Sequence, residues 1–198
     1  MARPRLGLVL GSGGARGLAH AGVLQALAEA DLSIDVVAGT SMGAIVGGLF
    51  ARTPDPARVW HDLDAYVTDH EFADYWAAFV PRNGDEEREG ARPWAGFFDF
   101  MHRGRIAVRS VATRSAEGRE RLAGPLGRLF TGVDRFEELA LPFAAVAVDL
   151  ISGEMMIYDS GPFLAGMYAS CAIPGAFPPV DQDGRVIVDG GGPFRVPV

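Results

Sequence analysis

Lysine is absent from this chain of 198 residues, so all 18 of its basic residues are arginine. The absence excludes a Walker-type phosphate loop, which needs its lysine, and it excludes Schiff-base and serine–lysine mechanisms, which need a free amine. The 25 acidic residues outnumber the arginines and give a net charge of −7. Arginines scattered singly along an acidic chain do not form the basic stripe of a nucleic-acid-binding protein, so we expect no nucleic-acid partner.

Cysteine and histidine are scarce as well. Cys171 is the one thiol, so it cannot form an internal disulfide, and it does not combine with the scattered histidines into a zinc-binding set. The four histidines are His20, His61, His70 and His102. We therefore expect no metal site, and the cysteine content fits a reducing compartment.

Long apolar runs are also missing. The uncharged window at residues 36–51 has sixteen residues and several glycines, which is too short to span a membrane. The apolar run at residues 6–10 is shorter than the hydrophobic region of a secretory signal. These features predict a soluble, cytoplasmic protein whose contact with membranes is peripheral.

The residues around Ser41 have the form of a nucleophile elbow. A short apolar run leads into Gly39-Thr40-Ser41-Met42-Gly43, and small and apolar residues suited to a helix follow. Glycines on both sides let backbone approach backbone, so that a serine at a tight strand-to-helix turn can point out of the sheet. Backbone N–H groups at the helix N-terminus favour negative charge there. The pattern indicates a nucleophile, although an ordinary turn uses the same residue types.

A second glycine-rich loop lies between a predicted buried strand at residues 6–10 and a predicted helix at residues 18–30. Its sequence is Gly11-Ser12-Gly13-Gly14-Ala15-Arg16-Gly17. A dinucleotide-binding fingerprint needs glycine where Arg16 stands, and it needs an acidic residue after the next strand, which is missing. The loop is better suited to an oxyanion hole, in which bare backbone N–H groups face a developing negative oxygen.

The chain begins and ends with α/β patterning. Residues 1–52 predict a βαβα unit, which implies a parallel sheet covered by helices. The glycine loop and Ser41 both follow strands and should therefore lie at the same, carboxyl edge of that sheet. Regular patterning resumes with a buried strand at 141–148, an edge or hairpin strand at 154–158, a helix at 163–171, a turn at 181–184 and a strand at 185–188.

The middle of the chain is less regular. It contains a charged loop at residues 82–90, aromatic groups at 72–79 and 94–101, and an arginine-rich amphipathic helix at 114–130. The aromatic groups are typical of a helical core, and also of a cap that lines an acyl channel or dips into a lipid interface. We expect one domain over residues 1–198, with residues 53–140 as a helical, cap-like insertion.

A serine nucleophile needs a base. In α/β-hydrolases the histidine of the triad comes last in the chain, whereas no histidine here follows His102. This argues against that triad but leaves open a triad with an earlier histidine. Asp189, at the end of a predicted strand and before a glycine, is the better candidate, although Asp-Gly is also a common turn. A dyad of Ser41 and Asp189 would require burial of the carboxylate, because burial raises its pKa.

Four blocks, in this order and spacing, resemble the patatin-like phospholipases, in particular their compact bacterial branch. They are the glycine loop at 11–17, the elbow at 39–43, the block Ser-Cys-Ala-Ile-Pro-Gly-Ala-Phe-Pro-Pro at 170–179, and Asp189-Gly190-Gly191. The resemblance covers both ends of the chain well, whereas residues 53–140 match loosely.

The resemblance implies a three-layer α/β/α fold with a mainly parallel central sheet. It also implies a lipid acyl hydrolase of the phospholipase A or lysophospholipase type, without a metal or cofactor. Ser41 would be the acylated nucleophile and Asp189 the base. The oxyanion hole would be the backbone of Gly13, Gly14 and Ala15.

Arg16 matches the family's basic position after the glycines, where it either orients the loop or faces a phosphate head group. Two departures from the family pattern stand out. An asparagine commonly precedes a Pro-Val step, but here Arg195 and Val196 precede Pro197-Val198, or else the register is shifted. The chain also ends nine residues after Asp189, where relatives continue. The alternative hypothesis is therefore a truncated, catalytically weak or inactive scaffold that binds lipid or a protein partner.

Overall fold

A computed structural model describes residues 5–69, 116–174 and 176–197. The aromatic groups predicted at 72–79 and 94–101 and the charged loop at 82–90 lie outside these residues. No helix within the three described ranges is long and apolar enough to cross a membrane. In chain order, the elements are β1 (Gly7–Leu10), a 3₁₀ turn (Gly14–Leu18), α1 (Ala19–Glu29), β2 (Val36–Thr40), α2 (Met42–Arg52), α3 (Pro56–Val67), α4 (Ala116–Leu129), a 3₁₀ turn (Phe136–Glu138), β3 (Phe143–Asp149), β4 (Met155–Tyr158), α5 (Phe163–Cys171), β5 (Val180–Gln182) and β6 (Arg185–Asp189).

Local chemistry explains where several helices begin and end. The side chain of Asp55 accepts a hydrogen bond from the N–H of Ala57 at 2.9 Å, and Pro56 occupies the first position of α3, where its missing N–H costs nothing. Pro162 precedes α5, and Pro174 follows its end. The predicted bounds of α2 and α5 are confirmed, and the arginine-rich helix predicted at 114–130 is α4.

The predicted βαβα unit is confirmed. β1 pairs with β2 in parallel, with Gly7 opposite Val36, and β2 pairs with β3 in parallel, with Val37 opposite Phe143. When successive parallel strands are added along the same direction of a sheet, right-handed connections place their helices on one face of that sheet. Consistent with this, α1 contacts α2, and α2 packs on all three strands.

Small residues let α2 lie close to the sheet. A Cβ atom on Gly47 would lie 3.0 Å from Cγ1 of Val37 and 3.1 Å from Cε2 of Phe143, so a larger residue would push the helix away. Every residue from Met42 to Ala51 is buried. The helix that follows Ser41 is therefore held by the core on all sides, which fixes the position of its N-terminus.

The second half of the sheet is antiparallel. β4 pairs with β3 as the predicted hairpin partner, β6 also runs antiparallel to β3, and β5 pairs with β6. The sheet is thus mixed, and the α/β class is confirmed. The prediction of a turn over residues 181–184 is wrong at Asp181 and Gln182, which belong to β5. A two-residue turn at Asp183 and Gly184 suffices, because both residues have positive φ, as tight hairpins require.

The register of β3 brings two strand ends together. Ala147 pairs with both β4 and β6, so these two strands lie on opposite edges of β3. Val146 pairs with both β2 and β4, so β2 and β6 share the remaining edge. On that edge β2 ends at Thr40, opposite Val146, and β6 ends at Asp189, opposite Ala147. The residue after β2 is therefore placed beside the last residue of β6.

A buried carboxylate ties α2, α3 and α4 together. Asp62 pairs with Arg52, which also donates to the carbonyl of Leu129 at 2.7 Å. Both carboxylate oxygens of Asp62 share a bifurcated hydrogen bond from Nε of Arg58, at 2.9 and 3.0 Å. Burial raises the pKa of Asp62, but hydrogen bonds from Arg58 and His61 and the charges of both arginines outweigh it, so the pKa is lowered overall.

We expect Asp62→Asn to lower the free energy of unfolding by about 1–3 kcal/mol at pH 7 in urea denaturation, because Arg52 and Arg58 lose their partner. A lowered folded-state pKa stabilises the protein above the unfolded value near 4, and this stabilisation is lost as the pH falls through the folded value. The difference from the wild type should therefore shrink below about pH 4. Asp64→Asn, on the exposed side of the same helix, is the control, and an equal loss there would contradict the interpretation.

Candidate active site

Ser41 has a backbone conformation that few side chains adopt. Its φ of 58° and ψ of −125° lie outside the common regions, at a cost on the order of 1–3 kcal/mol. A Cβ atom on Gly39 would collide with the carbonyl of Gly43, and one on Gly43 would collide with the carbonyl of Leu10. Backbone therefore packs directly on backbone around Ser41, and both flanking positions require glycine.

Hydrogen bonds hold this strained residue on both sides. The N–H of Ser41 donates to Oγ of Ser170 at 3.0 Å, and the Ser170 hydroxyl donates to the carbonyl of Val146 at 2.7 Å. The carbonyl of Ser41 accepts from Ala44 and Ile45, at 2.9 and 3.1 Å, in the first turn of α2. The side chain of Ser41 is consequently presented at the N-terminus of α2, where the helix dipole favours negative charge.

Asp189 reaches the same place from the opposite direction, as the last residue of β6. Its N–H donates to the carbonyl of Ala172 at 3.0 Å, and its Oδ1 accepts from the N–H of Gly191 at 2.7 Å. Oδ2 is buried and accepts no hydrogen bond from the described residues. The Ser41 side chain lies near enough to favour the ionised carboxylate, although the two groups do not form a hydrogen bond of standard geometry.

Burial dominates the electrostatics of this carboxylate. Asp189 is 5% exposed, and burial raises its pKa from 3.8 to about 6, against the opposing effects of Ser41 and Gly191. A carboxylate with a pKa near 6 is still mostly ionised at neutral pH, yet it is a stronger base than an exposed aspartate. A serine–aspartate dyad requires at least partial desolvation of its carboxylate, and the burial of Asp189 meets that requirement.

The glycine loop lies next to Ser41. Gly14 has a φ of 52° and lines the same pocket as Ser41. Gly14 and Ala15 open a 3₁₀ turn that the sequence analysis predicted as loop, and the first N–H groups of a helical turn have no acceptor within it. A Cβ atom on Gly13 would lie 2.9 Å from the N atom of Gly17, so the loop folds back tightly on itself.

Among the described residues, neither Arg16 nor a histidine forms a hydrogen bond with Ser41. The side chain of Arg16 is exposed. Nε2 of His20 lies 2.9 Å from the carbonyl oxygen of Gly11, so this histidine holds the glycine loop. His61 contacts Asp62, while His70 and His102 lie outside the described residues. A histidine base for Ser41 is therefore not found in the described part of the chain.

The segment after β6 braces the glycine loop. The N–H of Ser12 donates to the carbonyl of Arg195 at 2.8 Å, and a Cβ atom on Gly11 would lie 2.5 Å from that oxygen. The N–H of Phe194 donates to the carbonyl of Gly190 at 2.9 Å. Arg195 thus supports the glycine loop through its main chain.

A narrow pocket of about 20 Å³ lies beside Ser41, which is room for about one water molecule. Its lining is mainly apolar and consists of Gly14, Ser41, Met42, Ile45, Tyr66, Leu122, Cys171, Ile173 and Phe177. A larger groove of about 330 Å³ lies elsewhere, between α1 and the start of α3, and contains none of the predicted site residues.

The sequence of this chain is similar to those of a known protein family. A sequence profile described as patatin-like phospholipase matches residues 8–198. The chain belongs to the patatin-like phospholipase family. An uncharacterised NTE family protein of Mycobacterium tuberculosis is 36% identical over 188 residues, which cover 95% of this chain and 43% of that protein. Lysophospholipase nte1 of Emericella nidulans is 31% identical over 186 residues, which cover 94% of this chain and 10% of that protein.

The fold of this patatin-like chain is also found in a solved structure. VipD from Legionella pneumophila superimposes with a TM-score of 0.54 at 19% sequence identity, over 96% of this chain and 46% of that one. At this identity the likeness concerns the fold alone. The chain spans less than half the length of each of these three proteins.

Sequence reasoning missed two residues that contact the site. Ser170 appeared only as a small residue within a family block, yet its hydroxyl holds the backbone of Ser41. Cys171 was considered for a disulfide or a zinc site, but it is buried and its Sγ lies 3.6 Å from the carbonyl oxygen of Ser41. Burial, followed by the nearby charge of Asp189, raises the pKa of the thiol well above its usual value, so it is a poor nucleophile.

The raised pKa of Asp189 implies that its carboxylate destabilises the folded state. A folded value of about 6 against 3.8 costs on the order of 3 kcal/mol at pH 8, and most of this cost is gone at about pH 4, where the folded state is protonated and the unfolded state is partly protonated. We therefore expect Asp189→Asn to raise the free energy of unfolding at pH 8 but not at pH 4, as measured by urea denaturation. An equal increase in the free energy of unfolding at pH 8 and at pH 4 would contradict the raised pKa of Asp189.

Proposed function

We propose that this patatin-like domain hydrolyses acyl esters of lipids, with Ser41 as the nucleophile and Asp189 as its base. One observation carries the proposal: a serine with strained backbone lies beside a buried carboxylate whose pKa is raised to about 6 and whose Oδ2 has no hydrogen-bond partner in the described residues. Family membership and the name of one relative, a lysophospholipase, support a lipid ester as the substrate class.

In the first half-reaction, Oγ of Ser41 attacks the carbonyl carbon of the ester while Asp189 takes the hydroxyl proton. The carbonyl electrons move onto oxygen, and the backbone N–H groups of Gly13, Gly14 and Ala15 stabilise this oxyanion. One such donor is typically worth a factor of about a hundred to a thousand in rate. When the intermediate collapses, the bond to the alcohol oxygen breaks, the alcohol takes the proton from Asp189, and the acyl group remains on Ser41.

In the second half-reaction, water attacks the acyl carbonyl and gives its proton to Asp189. The same N–H groups stabilise the second oxyanion. Collapse releases the fatty acid, and the proton on Asp189 returns to Oγ of Ser41, which restores the starting state. A base with a pKa near 6 suits both steps, because it accepts a proton readily and also returns it.

The surroundings of Ser41 fit an amphipathic substrate. The apolar lining of the pocket, which includes Met42, Ile45 and Leu122, suits an acyl chain. Arg16 is exposed and lies within the glycine loop, directly after Ala15, where a guanidinium can pair with the phosphate of a head group. Peripheral contact with a membrane would deliver such a substrate.

We expect a fluorophosphonate probe to label the wild-type protein and to leave Ser41→Ala unlabelled, as detected by intact-protein mass spectrometry. Turnover of a short-chain ester should fall to background in the same variant, because the acyl group has no acceptor. Ser160→Ala, a change at an exposed serine outside the site, should keep both activities.

A folded wild type that is never labelled would contradict hydrolysis by Ser41. It would instead favour the scaffold hypothesis, in which the domain binds lipid or a protein partner without turnover. Labelling that persists in Ser41→Ala would place the nucleophile elsewhere.

The ionised form of Asp189 is the active form, so the pH dependence has a defined sign. We expect kcat/KM for a neutral ester to rise tenfold per pH unit up to about pH 6 and then to level off. Asp189→Asn should be slow, and its rate should not show this inflection. A wild-type profile that is already flat at pH 5 would contradict the role of a buried base.

A further inference from the structure

The hydrogen-bond ladder between β2 and β3 changes at its last position. The N–H of Val37 donates directly to the carbonyl of Pro142 at 3.0 Å. Every second residue donates in a parallel ladder, so the same series leads to Ser41 as donor and Val146 as acceptor. At that position the hydroxyl of Ser170 is inserted: Ser41 donates to it at 3.0 Å, and it donates to Val146 at 2.7 Å.

The inserted hydroxyl has a defined direction. A serine hydroxyl has one proton, and here that proton points to the carbonyl of Val146, which leaves a lone pair for the N–H of Ser41. Ser170 is fully buried, so water does not compete for either bond. Both hydrogen bonds are therefore present whenever the domain is folded.

The insertion explains how Ser41 leaves the strand. With a side-chain oxygen between the two backbone groups, Ser41 cannot lie as close to β3 as Val37 does, and its chain turns into the conformation with a φ of 58°. We propose that Ser170 is a positioning residue that sets this conformation and thereby aims Oγ of Ser41, an inference that rests on the proposed function.

The same end of α5 also contacts the base. Sγ of Cys171 lies 3.6 Å from the carbonyl oxygen of Ser41, and the carbonyl of Ala172 accepts the N–H of Asp189 at 3.0 Å. Three consecutive residues thus contact either Ser41 or Asp189, so this end of the helix sets the distance between nucleophile and base. A misplacement of about 1 Å at a reacting group can cost about a hundredfold in rate.

The test is the Ser170→Ala variant, in which the N–H of Ser41 loses its acceptor. We expect the rate constant of fluorophosphonate labelling and kcat per titrated active site on p-nitrophenyl butyrate to fall about 10- to 100-fold. The KM should stay within about twofold, and the inflection near pH 6 should remain, because neither the pocket lining nor the burial of Asp189 is altered.

Thr40→Val is the matched control. It removes a buried hydroxyl one residue before Ser41, but that hydroxyl has no hydrogen-bond partner in the described part of the chain. Its kcat per active site should therefore stay within about twofold of the wild type. Ser170→Cys, with a side chain of similar size and weaker hydrogen bonds, should lose less activity than the alanine variant, and it replaces that variant if alanine prevents folding.

The outcomes separate this inference from the proposed function. If Ser170→Ala has fewer titratable sites but an unchanged kcat per site, Ser170 is merely structural and the inference is overturned. Labelling of Ser170→Ala, or of Ser170→Cys in its place, at the wild-type rate would also overturn it while leaving the proposed function intact. A wild type that is never labelled would overturn both.

Discussion

The shared edge of β3 is the constraint on which the rest of this structure depends. β2 ends at Thr40 and β6 ends at Asp189 on neighbouring residues of that edge, although the two strands run in opposite directions. The turn into α2 must therefore occur at Ser41, beside the carboxylate. A shift of β6 by one residue in its pairing with β3 would turn Asp189 to the other face of the sheet.

Two features at this point lower the stability of the folded state. The conformation of Ser41 is strained, and the carboxylate of Asp189 is buried at a raised pKa. Together they amount to several kcal/mol, a large share of the 5–15 kcal/mol that stabilises a typical domain. The buried helix α2 and the glycine contacts at Gly39 and Gly43 offset them, because they leave the elbow no room to relax. Strain and burial of this kind cluster at functional sites, which favours catalysis over an ordinary turn.

Elements governed by local pattern were predictable. The bounds of α2 follow from a glycine elbow at one end and Arg52 and Thr53 at the other, and those of α5 follow from the flanking prolines. The 3₁₀ turn at Gly14–Leu18 was not predicted, because glycine-rich sequence is compatible with many backbone paths. The short strand β5 was missed because pairing with β6, rather than its own composition, makes it a strand.

The sequence by itself determined the chemistry that is available to this protein: no lysine, no histidine after His102, a serine between glycines and an aspartate before glycines. Those identities, with four family blocks in order, were enough to predict the class of fold and the candidate residues. Only the tertiary structure decided that β6 returns antiparallel along the edge used by β2, that burial raises the pKa of Asp189, and that Ser170 is inserted between two strands. These properties depend on segments more than a hundred residues apart, and no local pattern encodes such contacts.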